Sequence, residues 1–147
     1  MELTLTRSQE PSDDTCSVIR GTLVVGTRKF LTMESAWSPQ WPRTVSCLPP
    51  ATYDLLPHVS PAHGACWALQ NLSLRVTRFP SLSSNVSLAL LSRHNSAANL
   101  GAGIAIGYRH GTHVHGTVQV PAMLDSSAAF DTLVSLLGRE QHTITIR

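Results

Sequence analysis

The chain has 147 residues, of which 42% are hydrophobic and 14% charged, with a formal charge of +2 at neutral pH. That length suffices for one domain with its own core, so residues 1–147 read as a single unit with a charge-poor surface. No cluster of Lys and Arg is present to follow a phosphate backbone, which argues against a nucleic-acid partner. No run approaches the roughly 18 apolar residues of a membrane span, and MELTLTRSQE lacks the basic start and apolar segment of a secretion signal. Synthesis in the cytoplasm is therefore expected.

In chain order, Met1–Arg7 alternates Leu3 and Leu5 with polar residues and predicts an opening strand. Thr15–Thr27 and Lys29–Glu34 read as a hairpin with Gly26 near its bend. Ser35–Ser46 carries Trp37, Pro39, Trp41 and Pro42 and fits an irregular loop. Leu48-Pro49-Pro50-Ala51-Thr52-Tyr53 marks a turn that enters a strand running through Leu56. Trp67–Arg78 alternates, with Leu72, Leu74 and Val76 on one face, and predicts another strand. Ser87–Leu91 and Gly103–Tyr108 supply two further apolar runs. Arg109–Thr117 reads as a surface or interface hairpin. Asp125 or Ser126 is placed to cap a helix whose apolar face is Phe130, Leu133, Val134 and Leu137, with Gly138 ending it. His142–Arg147 alternates like a last strand. The sum is a mainly β, α+β domain, mostly antiparallel, with one helix near the end. The two terminal strands hold few charges, so their edges are expected to invite pairing with other copies.

Cys16, Cys47 and Cys66 are far apart, with no CxxC pair. An odd, widely spaced set argues against a disulfide framework or a zinc site. Small buried apolar residues are the expectation, with one disulfide or a bond to a neighbouring subunit as the alternative. Asn71-Leu72-Ser73 and Asn85-Val86-Ser87 match the glycosylation pattern, which has no meaning without secretion.

Several of these stretches, taken in order, resemble a family. Leu3–Arg7, the Gly21-Thr22-Leu23 to Thr32-Met33-Glu34 hairpin, Leu48–Tyr53 and Asp125–Phe130 are similar to motifs of a small uncharacterised domain of tailed phages and prophages. That family is distantly related to L,D-transpeptidases, and the resemblance implies a barrel-like scaffold of that kind. The family carries His-x-Gly-Asn, then Gly-Cys-Ile and a closing Gly. Aligned on Asn95 and on Ile104–Gly107, the histidine position holds Ser92, the glycine before the asparagine is His94, and the cysteine is Gly103. The relatives use a cysteine thiolate assisted by histidine. Glycine has no side chain to attack with, so Ser92, His94 and Gly103 are read as vestigial, with no catalytic residue.

Ser92 and His94 share a face of an extended segment, yet nothing in the sequence supplies the oriented base and oxyanion hole a serine needs. His113 and His115 project from one face of a strand with His110 close by, but no carboxylate completes a ligand set. No metal and no cofactor is expected. Trp37 and Trp41, with His113 and His115, are the interface candidates, because aromatic anchors in loops often carry contact energy.

The resemblance and the missing nucleophile imply a non-enzymatic structural protein of the virion: head decoration, neck, tail or baseplate. Its partners would be other virion proteins, in multiple copies. The alternatives are a peptidoglycan hydrolase or transpeptidase used in entry or lysis, and a cytoplasmic binding module.

Overall fold

The computed structural model describes residues 1–8, 18–42, 45–78, 88–93, 96 and 100–147. Cys16, Asn85, Ser87, His94 and Asn95 lie outside them, as does the start of the Thr15–Thr27 strand.

Ten strands and one helix follow in chain order: β1 (Glu2–Arg7), β2 (Val18–Val25), β3 (Arg28–Ser35), β4 (Ala51–Ser60), β5 (Gly64–Gln70), β6 (Leu90–Ser92), β7 (Ile104–Gly107), β8 (Arg109–His115), β9 (Val118–Leu124), α1 (Ser126–Leu137) and β10 (His142–Ile146). Eight strands close a barrel in the order β1-β10-β4-β5-β6-β7-β3-β2, and β8 and β9 form a separate two-stranded ribbon. The fold is mainly β with a single helix, as the periodicity predicts. No described helix is long and apolar enough to cross a membrane.

Alternation decides which way each strand faces. Leu3 and Leu5 of β1 stand opposite Val25 and Leu23 of β2, and beside Ile144 and Ile146 of β10. All six side chains are buried. Opposed residues share a face of the sheet, so these pairs fill the interior while Thr4, Thr22 and Thr145 turn outward. β7 reads as a continuous apolar run because it is covered on both sides. Ile104 and Ile106 belong to the interior cluster, whereas Ala105 packs outside with Val18, Met33, Leu100 and Met123.

Helix α1 closes one end of the barrel. Its Phe130, Leu133 and Leu137 enter the interior core, and the Phe130 ring lies 5.7 Å from Trp67 at a tilt of 55°. His142 on β10 holds the helix end through Nε2 to the Leu137 carbonyl at 2.9 Å. At the opposite end a buried Arg7 meets a buried Glu34 through two hydrogen bonds of 2.9 and 2.8 Å. Gly21 lies between their strands because a Cβ there would sit 2.7 Å from the Thr6 carbonyl and 2.9 Å from Thr32 Oγ1.

Three expectations are corrected. The Trp67–Arg78 strand stops at Gln70; Leu72–Leu74 form a single 3-10 turn and Leu72 is exposed. Asn71 and Val76 bond each other through both backbone groups, at 3.0 and 3.1 Å, so a local loop satisfies what a longer strand would have paired. Asp125 precedes the helix with φ 60° and ψ 30° and makes no side-chain cap, and Ser126 begins the helix. The Asp125 carboxylate instead takes a hydrogen bond from Arg109 Nε at 3.0 Å. The terminal strands offer no open edge, because β1 and β10 pair in parallel with each other and each has a second neighbour.

β1 is thus an interior stave, so removing residues 1–7 is expected to abolish cooperative unfolding altogether. Leu5→Ala should lower stability by about 2–5 kcal/mol through the lost transfer and the cavity left behind. Urea denaturation followed by circular dichroism measures both; a native-like transition in the truncated chain would contradict the closed barrel.

Candidate functional site

Ser92 ends β6 and Gly103 directly precedes β7, and these two strands run parallel with Leu91 beside Ile104 and Ser92 beside Ala105. In that register Gly103 lies level with Leu90, so the structure does not set positions 92 and 103 opposite each other. Ser92 is on the outer face of the wall with Ala105, fully buried, and its Oγ has no hydrogen-bond partner among the described residues. The Gly103 amide donates to the Leu100 carbonyl at 2.8 Å. Both positions are parts of the wall.

A concavity opens just past Ser92. It is a cleft of about 340 Å³ lined by Arg93, His113, Ala122–Asp125, Ser126 and Ser127. Three elements build it: the chain leaving β6, one face of the β8–β9 ribbon, and the first turn of α1. In the ribbon, Arg109 opposes Leu124, Gly111 opposes Ala122 and His113 opposes Val120, so these residues share the face that looks into the cleft. Gly111 is required there, since a Cβ would fall 2.7 Å from Leu124 Cδ1.

The cleft's charges neutralise one another. Arg93 forms an ion pair with Asp131 on α1, donates through Nη1 to the Ser127 carbonyl at 3.3 Å, and lies 4.8 Å above the Phe130 ring centre. Arg109 is matched by Asp125. The remaining lining is apolar at Ala122, Met123 and Leu124, with His113 exposed at the rim. Among the described residues no group of three or more His, Cys, Asp or Glu gathers to hold a metal ion. Such a cleft can hold a small apolar or amide-bearing group; it offers no thiol.

His110 is on the opposite face of the ribbon, where burial and then the charge of Arg20 push its imidazole below the usual range. His115 is exposed near the ribbon's tip. Trp37 and Trp41 stack with ring centres 6.2 Å apart, both half-buried, and Trp41 leans on the core. The four interface candidates therefore form two separate places. Sequence reasoning missed Arg93, Asp125 and Asp131 as a cleft frame, because their pairing across β6, the ribbon and α1 has no local signature.

A second group of titratable side chains lies at the far end of the barrel. Burial opposes the charge of Arg7, but the hydrogen bond and charge of Glu34 outweigh it and hold the guanidinium above its usual value. Arg7 Nη2 also donates to the Leu48 carbonyl at 2.7 Å, and Tyr53 donates to the Pro49 carbonyl at 2.6 Å. Burial pushes the Cys47 thiol up to about 11, with Arg7 opposing, and raises the Tyr53 phenol as well. Burial likewise raises Cys66. Cys47 and Cys66 are free and buried, as expected of packed thiols.

No family model, curated protein or solved structure matches the chain.

Two outcomes follow from this geometry. Ser92→Ala is expected to leave stability unchanged or raise it by up to about 1 kcal/mol, because it removes a buried hydroxyl without a partner; thermal melting checks it. The raised thiols and phenol favour the protonated folded state. For Cys47 that contribution is complete below the unfolded thiol value of about 8.5 and is lost as pH rises through about 11. Urea midpoints should fall across that window, and at pH about 8 mass mapping should find Cys47 and Cys66 unalkylated in the native protein and modified once it unfolds.

Proposed function

We propose that the chain is a non-enzymatic structural component of a tailed-phage virion, present in several copies among other virion proteins as a head-decoration, neck, tail or baseplate subunit. The observation that carries a docking role is the β8–β9 ribbon. It lies outside the barrel sheet, and Val114 and Val118 near its tip are 59% and 60% exposed. A two-stranded ribbon is marginal by itself in water, and exposed valines near its end, one on each face, suit a contact with another surface. The phage assignment rests on the order of the motifs that resemble the prophage domain. The reading as a non-enzyme is supported by Gly103 in the place of that family's nucleophile and by the enclosure of Ser92 in the wall.

Mass spectrometry of purified particles of the encoding phage tests this directly. The protein is expected in them at a stoichiometry above one, and Val114→Asp with Val118→Asp should reduce its incorporation at least tenfold without changing its melting temperature. Absence of the wild-type protein from particles, or full incorporation of the double variant, would sink the proposal.

A further inference from the structure

Every described strand of the closed barrel has a neighbour on both sides, although Leu56–Ser60 of β4 and Gly64–Cys66 of β5 pair only with each other's strand. The ribbon leaves a whole strand open on one side. β9 is bonded to β8 on one side and bridged to Ser96 at Ala122 on the other, whereas among the described residues β8 pairs with β9 alone. His115 opposes Val118 across the two-residue turn Gly116-Thr117. In so tight a hairpin the closing pair exchanges both backbone bonds and the pattern then alternates. His110, Thr112 and Val114 therefore turn their N–H and C=O groups toward the open side.

We propose that this edge pairs with the same edge of a second copy, β8 against β8, antiparallel about a two-fold axis at Thr112. As an edge open along its whole length, it can meet its own kind in a closed, isologous contact. The register about Thr112 is self-complementary. Thr112 faces its counterpart, a favourable cross-strand pair. Gly111 faces His113, so the imidazole meets no opposing side chain. The exposed Val114 faces His110, and all three outward residues find backbone partners.

Charge selects this occupant. Arg109–Leu124 contains no carboxylate, and Arg109 is already matched by Asp125. His110, buried beside Arg20, stays neutral. At neutral pH the edge thus carries no excess charge to repel its copy. An acidic strand from another protein would find no unmatched cation here, because Asp125 already holds Arg109. Edge pairing alone covers less than the roughly 1,600 Å² of a standard interface, so the contact is weak in solution and gains strength in an array.

This inference needs the ribbon to be a docking element but does not need a virion, and the two are read separately. Sedimentation velocity of the full chain up to about 1 mM should show a concentration-dependent dimer. Hydrogen exchange at low and high concentration should slow selectively at His110, Thr112 and Val114. Val114→Pro removes an N–H that the ribbon itself does not use and should give a monomer with an unchanged melting temperature. Val114→Lys, which keeps the backbone intact, should do the same by placing charge on the edge. A monomer at every concentration, or a dimer that survives both variants, would overturn the self-pairing. Absence from particles would overturn only the virion role.

Discussion

Closure of the barrel depends on one joint, the parallel pairing of the first strand with the last. Leu3 beside Ile144 and Leu5 beside Ile146 bring the two ends of the chain into one sheet. The joint continues past β1, where the Arg7 amide donates to the Arg147 carbonyl at 3.0 Å and Arg147 returns a bond to Leu5 at 2.9 Å. A pairing across almost the whole chain carries a large loop-closure cost before any contact is gained. It forms because Leu3 and Leu5 on one strand and Ile144 and Ile146 on the other have an apolar surface to bury, and each strand lies beside an antiparallel neighbour that already covers it. Without the joint, β1 and β10 would each expose an edge.

The two ends of the barrel are closed by different means. Apolar side chains of α1 fill one end, and the direction of the helix is set by Asp125, whose left-handed backbone turns the chain out of β9. Asparagine, aspartate and glycine tolerate that conformation best. The other end is closed by Arg7 and Glu34. Removing one partner of a buried ion pair leaves an uncompensated charge, whereas an apolar replacement of both is often neutral. The pair therefore fixes arrangement: it ties β1, β3 and the Leu48 segment through one planar guanidinium. Cys47 and Tyr53 border it, and burial is what holds their protons so firmly.

The fold was legible where a local pattern carries the information. Strict alternation marks β1 and β10, and a 3.6-residue stripe marks α1 through Phe130, Leu133 and Leu137, with Gly138 at φ 66° ending it. Alternation misled at Leu72 and Leu74, because a period of two says nothing about whether a neighbouring strand exists to bond. Past Gln70 the chain bonds itself between Asn71 and Val76 instead. The candidate site was less legible. His113 was visible as a residue, but the cleft it borders is made by Arg93 and Asp131, 38 positions apart in sequence, together with the start of α1.

The sequence by itself determined the β-rich class, the single helix, the faces of most strands and the absence of a side chain at position 103. These follow from residue type and short-range period, which act within a few residues. Only the tertiary structure decided that the terminal strands are joined and so have no free edge. It likewise decided that Ser92 is sealed in the wall and that β8 keeps one side open along its length. Whether an edge is free depends on what the rest of the chain brings beside it, and hydrogen bonding between strands is blind to sequence distance.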